Sequence, residues 1–485
     1  MLGPQPVLLW FRNDLRLTDH AALLAALETG QPVLPVYVLD DESAGCWAMG
    51  GASRWWLHYS LAALAKDLRR RGATLVLRRG RAPLEIARLA QETGATRVFT
   101  GVMPEPHARA ADQATAAALK QRGGELHPYH TTMLFRPDAI RTNSGGAFSI
   151  YSAFARACLM LGDPPPPATA PEHIPCPATP ASDTLDDWQL LPTRPDWTGG
   201  LRATWAPGET GAENRLNAFL RGHAEKYAIR RDYPGTDGTS RLSPHLHFGE
   251  ISAAQLWHAA QRHMSSQPRA SFLRELLWRE FAMHLLWDNP QLPVTPLRPQ
   301  FAAMPWRDDA KSLSAWQRGR TGIPIVDAGM RQLWETGWMH NRVRMIVASF
   351  LVKHLLIRWQ QGEAWFWDTL VDADLANNSA SWQWVAGCGT DAAPYFRIFN
   401  PVLQGRKFDP EGAYVRHFVP ELARLQSHDI HAPWEAPPLA LADSGVTLGG
   451  NYPRPITDLT MARRRALDAL AAMRAATRPG SRAIG

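Results

Sequence analysis

PVLPVYVL (32–39), SRWWLHYSLAALAKDLRRRG (53–72) and ATLVLR (73–78) follow one another closely, and their order decides the fold class of the N-terminal part. The first and third are short apolar runs rich in β-branched residues, the pattern of strands buried on both faces of a parallel sheet. The second places Trp56, Tyr59, Leu64 and Leu68 near helical spacing, an amphipathic helix with one apolar stripe. Outward from this unit, PVLLWF (6–11) and TRVFTG (96–101) repeat the strand pattern. Strand–helix alternation predicts a doubly wound, Rossmann-like α/β domain with a parallel sheet, ending near residue 135. No GxGxxG follows the first strand, so the usual dinucleotide fingerprint is missing and any ligand here binds differently.

A chain of 485 residues exceeds one ordinary core, which predicts at least two domains. DPPPPATAPEHIPCPATPASD (163–183) can form neither helix nor central strand and reads as an extended surface connector. From about residue 206 the pattern is helical almost throughout. The expected layout is an α/β domain over 1–135, a Pro-rich linker over 136–205, a large all-α domain over 206–475 and a short tail over 476–485.

The net charge of +7 favours a polyanionic partner, most often nucleic acid, and the 20 tryptophans supply stacking surface. Cys46, Cys158, Cys176 and Cys388 form no CxxC pair, which fits a reducing compartment and argues against a disulfide framework or structural zinc. MLGPQPVLLWFRNDLR lacks a basic leader, and no stretch reaches the roughly 18 apolar residues of a membrane span. A cytoplasmic protein with no membrane association is expected.

Four segments carry candidate chemistry. DADLANNSASWQW (372–384) crowds Asp372, Asp374, Asn377 and Asn378 against Trp382 and Trp384, and buried polar groups of this kind need partners. GTSRLSPHLHFGEIS (238–252) sets Thr239, Ser240, Arg241 and Ser243 before Pro244, at a helix start that suits a phosphate or is an ordinary cap. His245 and His247 lack a carboxylate or cysteine partner for a metal, and a structural role is expected. In ELLWREF (275–281), Glu275, Trp278 and Arg279 share a helix face, either as a core seam or as a cavity wall. In GWMHNRVRM (337–345), Asn341 and Met345 share a face flanked by Arg342 and Arg344, a plausible wall for a flat polar ligand. Arg231, Arg342, Arg397 and Lys407 are candidate phosphate contacts, or members of a solvated basic face.

Taken together, WFRNDLRLTDH (10–20), TSRLSPHLHFGEIS, LLWREF, TGWMHNRVRMIVASFLVKHLL (336–356), DADLANNSASWQW and TDAAPYFRIFNP (390–401) resemble the DNA photolyase/cryptochrome family over nearly the whole chain. The resemblance implies an α/β antenna domain, a surface linker and a helical domain holding FAD, active in its reduced form. It implies that Tyr227 and Thr239, Ser240, Arg241, Leu242 and Ser243 hold the FAD phosphates, with Phe272 at a pocket position where tryptophan is usual. Arg279 and Arg344 would lie along the cofactor, Asp372, Ala373 and Asp374 would face the flavin, and Asn378 would bond its N5. Trp382, Trp359 and Trp306 would relay electrons from the surface.

The partner implied is UV-damaged DNA. Trp278 and Trp384 would grip an extruded cyclobutane pyrimidine dimer, Glu275 and Asn341 would bond its polar edges, and Met345 would stand beside them. Arg231, Arg342, Arg397, Gln404 and Lys407 would contact the DNA. The implied activity is light-driven splitting of that dimer, by a monomer with no obligate protein partner. A cryptochrome-type photoreceptor and a six-four photolyase are the alternatives. His107 and Ala108 stand where the enterobacterial type has the Asn-Glu pair that binds folate, so the resemblance leaves open methenyltetrahydrofolate bound elsewhere, a deazaflavin or no second antenna chromophore. RWWL (54–57) resembles the plant-cryptochrome-like branch.

Overall fold

The computed structural model describes residues 5–391 and 396–477. Contacts divide the chain into two units. The first comprises Met1–Glu225, Ser240–Pro290 and Val371–Ala376; the second comprises Lys226–Thr239, Gln291–Leu370 and Asn377–Gly485.

The first unit carries a five-stranded, all-parallel sheet in the order β3-β2-β1-β4-β5. Its strands are β1 Val7–Phe11, β2 Val33–Leu39, β3 Val76–Arg79, β4 Arg97–Gly101 and β5 Glu125–Tyr129. Every residue of β1 and β2 is buried, as expected where helices cover both faces. The connecting helices are α1 Ala21–Glu28, α2 Gly51–Arg70, α3 Ala82–Thr93 and α4 Pro106–Lys120. The core beneath α3 joins Leu34, Val36, Val76, Ile86, Leu89 and Val98. Sequence reading did not single out β5, whose ELHPY is half-exposed and holds Pro128, features of an edge strand that break the buried apolar run.

The Pro-rich connector over 163–183 has neither helix nor strand and is tied down along its length. Asp19 N–H donates to Ala168 O (2.9 Å), Ile174 N–H to Arg71 O (2.8 Å), Val33 N–H to Pro175 O (2.7 Å) and Asp183 N–H to Leu77 O (2.9 Å). The unit also carries α5 Tyr151–Met160 and the long Ser266–Asp288 helix.

The second unit is helical, with one isolated bridge, Leu448 to Tyr452, its sole β pairing among the described residues. Its centre is built by the helices Pro324–Thr336, Asn341–Ser349 and Trp359–Thr369, the second running into a π-helical turn at Phe350–His354. Trp316, Trp359, Tyr414 and Tyr452 are fully buried there. The Leu375–Ala386 helix begins in the first unit and continues in the second.

Candidate functional site

The candidate residues fall into two groups, one in each unit. In the first, the loop before Ser243 is set by backbone geometry: Arg241 has φ +50°, and Arg215 Nε donates to Ser240 O at 2.8 Å. The helix that follows, Ser243–His247, is a little over one turn long, too short for its dipole to count, so the polar character of this segment lies in its hydroxyls and the Arg241 guanidinium. Glu250 anchors that helix. Its Oε1 accepts from Trp56 Nε1 (2.9 Å) and Gly208 N–H (2.7 Å), and its Oε2 meets His245 Nδ1. Gly249 is required beside it: φ is +66°, and a Cβ would stand 2.1 Å from Asn13 O.

On the Ser266–Asp288 helix, Phe272 is buried and stacks on Phe219 (5.4 Å, 27°). Glu275, Trp278 and Arg279 share one face, as their spacing predicted. Arg279 Nη1 donates to Thr132 O at 3.0 Å, and Arg274 Nε lies 3.8 Å from a Glu275 oxygen. Trp278 stacks on Tyr151 with ring centroids 3.6 Å apart and planes 6° from parallel.

Asp372, Ala373 and Asp374 are buried in the first unit, with Asp374 Oδ2 3.9 Å from His247 Nδ1. A carboxylate that sequence reading missed lies with them. Glu105, at the N-terminal boundary of α4, is 5% exposed; burial, reinforced by the Asp374 charge, pushes its carboxyl up to about 7. The only local signal was MPEPH itself, and the neighbours that perturb Glu105 come from distant segments.

In the second unit, the Asn341–Ser349 helix carries Asn341, Arg342, Arg344 and Met345. Its cap is His340, whose side chain accepts from Arg342 N–H (3.2 Å). Burial drives that imidazole down to about 4, so it is neutral and free to accept. Gln332 Oε1 holds the cap, accepting from His340 N–H (3.1 Å) and Tyr414 OH (2.8 Å). Arg342 donates to Asp232 at 2.8 Å and lies over Phe408, 4.3 Å from its centroid. Arg344 Nε donates to Met339 O (2.7 Å), and Arg231 lies over Tyr227 (5.3 Å).

On the Leu375–Ala386 helix, Asn378 is buried and its Nδ2 donates to Glu363 O at 3.0 Å. Glu363 itself is buried, accepts from Ser379 Oγ, and is pushed up to about 8 by burial. Trp382 meets Phe366 (5.0 Å) and Trp316 (6.2 Å) edge to face. It also lies close against Gly362, where a Cβ would come within 2.1 Å of its ring. Trp359 is buried three residues before Gly362 on the same helix face, while Trp306 is half-buried. Trp384 Nε1 donates to Asp391 O (3.2 Å). Gln404 and Lys407 are neighbours on the Pro401–Phe408 helix, and Lys407 and Arg397 are exposed.

Residues 272–472 match the FAD binding domain of DNA photolyase, and residues 7–172 match DNA photolyase. A deoxyribodipyrimidine photo-lyase of Agrobacterium fabrum is 51% identical over 98% of this chain and 100% of its own length. The chain belongs to the DNA photolyase family. The crystal structure of a bacterial class III photolyase from Agrobacterium tumefaciens superposes with a TM-score of 0.94 at 50% identity, covering 98% of this chain and 99% of that one. Cryptochrome-1 of Arabidopsis thaliana is 36% identical over 96% of this chain and 70% of its own.

The donor chemistry fits the cofactor of a photolyase-family FAD domain. In the first unit, Glu105 Oε2 and His247 Nδ1 are buried without a hydrogen-bond partner; in the second, so is Glu363 Oε2. Buried polar atoms left open in this way call for a polar ligand. Among the described residues no group of three or more histidine, cysteine, aspartate or glutamate side chains could hold a metal, and no helix is long and apolar enough to cross a membrane.

Proposed function

We propose that this photolyase-family chain is a light-driven DNA repair enzyme that splits cyclobutane pyrimidine dimers, a cytoplasmic monomer with an α/β domain over 1–135, a linker over 136–205 and a cofactor domain over 206–475. The supporting observation is the orientation of Asn378. A backbone carbonyl can only accept, so the contact to Glu363 O fixes which end of the amide is nitrogen. Oδ1 is then the end left to accept from an N–H, which suits the protonated N5 of reduced flavin.

Bound in this domain, reduced FAD would supply the light-driven electron chemistry that opens the cyclobutane ring. The protein's part is binding, orientation and electrostatics. Ser240, Arg241, Leu242, Ser243, Phe272, Arg279, Asp372, Ala373 and Asp374 would hold the cofactor, and the family resemblance gives the same role to Tyr227, Thr239, Arg344 and Asn378. Trp278 supplies a stacking surface for the extruded dimer, and Glu275, one turn away, meets its polar edge. Asn341, Met345 and Trp384 would also serve the dimer, and Arg231, Arg342, Arg397, Gln404 and Lys407 would contact DNA. Trp382, Trp359 and Trp306 restore the reduced state. A dimer is already poorly stacked, which lowers the cost of extruding it.

Identity with the Arabidopsis cryptochrome favours one second reading, a blue-light receptor without repair. A blue-light assay on the reduced protein separates the two. One sample receives an oligonucleotide with a single cyclobutane thymine dimer, the other one with a six-four photoproduct. Repair of the first alone is expected; repair of neither, by protein with intact FAD, turns the reading to a receptor.

A further inference from the structure

The platform offered by Trp278 is one-sided. Tyr151, the first residue of α5, lies parallel to the indole at a centroid separation of 3.6 Å and 6° between planes. At that separation the rings overlap almost completely, so one face of the indole is closed to any third ring. Tyr151 is 9% exposed, while Trp278 is half-buried and forms the open side of the pair.

Full face-to-face overlap is not what aromatic rings choose on their own; the ring quadrupoles favour offset or edge-on packing. Something therefore holds this pair in register, and two contacts do. Tyr151 OH donates to Arg274 O at 2.9 Å. Arg274 O is the carbonyl that an α-helix pairs with the N–H of residue 278, so the phenol is tied to the turn that carries the indole. Phe281, 2% exposed, meets both rings with its plane at 68° to each, 6.0 Å from Tyr151 and 5.9 Å from Trp278. The sandwich is clamped at its hydroxyl end and at its edge.

We infer that Tyr151 is a positioning residue for the substrate: by closing one face of Trp278 and fixing the ring plane, it presets a single rigid surface on which an extruded pyrimidine dimer stacks. This rests on the proposed reading of Trp278 as a dimer contact. An indole on a bare helix surface would sample several rotamers and would be ordered only when substrate arrives. Ordering it during folding removes that loss from the binding step. Tyr151 touches the indole and not the reacting bonds, so its effect belongs to affinity for the lesion and not to the photochemical step.

The test uses the full-length, FAD-loaded protein and oligonucleotides with and without one cyclobutane thymine dimer. Tyr151→Leu keeps much of the volume and removes the flat ring. It is expected to raise the dissociation constant for dimer DNA in the dark by about tenfold, a fraction of the worth of one base–aromatic stack. Affinity for undamaged DNA and turnover under saturating substrate and light stay at wild type, so KM rises alone. Tyr151→Phe, which keeps the ring and loses the clamp, is expected to weaken dimer binding about threefold, and it carries the test if the leucine variant does not fold. Trp278→Ala combined with Tyr151→Leu should be no weaker than Trp278→Ala alone, because the two act as one platform. Wild-type dimer affinity in the tyrosine variants while Trp278→Ala binds weakly overturns the inference. Simple additivity in the double variant also overturns it. If Trp278→Ala itself leaves dimer affinity unchanged, the reading of Trp278 fails first and takes this inference with it.

Discussion

Asn378 depends on Glu363 in two ways. The Glu363 carbonyl orients the amide, and the Glu363 side chain, through Ser379 Oγ, ties down the next residue of the same helix. Asn378→Asp would lose the donor to that carbonyl and add a negative charge where reduced, anionic flavin is proposed to sit. The one-electron potential at which the bound flavin reaches its reduced form should fall by on the order of 50 mV, roughly 1 kcal/mol, with slower photoreduction. A spectroelectrochemical titration giving the wild-type potential would remove Asn378 from the flavin. Glu363 makes a separate prediction. Burial pushes its carboxyl up to about 8, far above its value in the unfolded chain. The native state then holds a proton that the unfolded state releases above about pH 4.5, so native stability falls as pH rises from there to about 8. Glu363→Gln keeps the acceptor for Ser379 and abolishes that titration. Relative to wild type, it should gain stability between pH 5 and pH 8, by on the order of 1 kcal/mol or more. Thermal melts at the two pH values measure the difference; a constant gap would mean that Glu363 is ionised in the native protein.

The Leu375–Ala386 helix shows what local sequence reveals and what it does not. Its polar and aromatic crowding pointed to a ligand wall, because so many amides and carboxylates beside tryptophan need partners. The partners themselves were not legible. Gln383, on the same helix, is buried structural polarity: its Nε2 donates to Leu292 O (2.7 Å) and Thr295 O (2.8 Å), and its Oε1 accepts from Leu297 N–H (2.8 Å). Strands β1 to β4 could be read from continuous apolar runs, whereas β5 could not, since an edge strand with Pro128 carries no such run. Nor could Glu105 and Tyr151 be found, as their roles arise from contacts with residues more than a hundred positions away. The exchange of 226–239 and 371–376 between units has no local signal at all. Gly362 makes the element-scale prediction. A glycine in a helix interior ordinarily gains about 1 kcal/mol on becoming alanine. Here the new methyl would meet Trp382 at 2.1 Å, and overpacking of this kind costs about 1–3 kcal/mol. Gly362→Ala should therefore lose stability and slow photoreduction by displacing Trp382, while chemically reduced protein still repairs. A stabilised variant with normal photoreduction would show that the indole has room to move.

Over the whole molecule, the net charge of +7 makes DNA binding a problem of counterion release as well as contact. Basic residues are not equivalent in this respect. Arg342 already donates to Asp232 and covers Phe408, so part of its charge is neutralised within the protein and part of its value is packing. Lys407 is exposed at the end of the Pro401–Phe408 helix, with its ammonium 5.1 Å from the Phe408 ring centroid. A lysine of this kind makes a contact that carries no sequence information and does not distinguish damaged from undamaged DNA. Lys407→Ala should weaken both by a similar factor and reduce the slope of log affinity against log salt by about 1. Arg342→Ala should change that slope less and lower the melting temperature more, since Asp232 loses its ion partner and Phe408 its cover. Binding isotherms for dimer-containing and undamaged duplexes at several salt concentrations, with melts of both variants, decide the point. Lesion-selective loss in Lys407→Ala would move that lysine from the backbone contacts to the dimer itself. A full unit of slope lost in Arg342→Ala, at unchanged stability, would mean that the Asp232 pair opens when DNA binds.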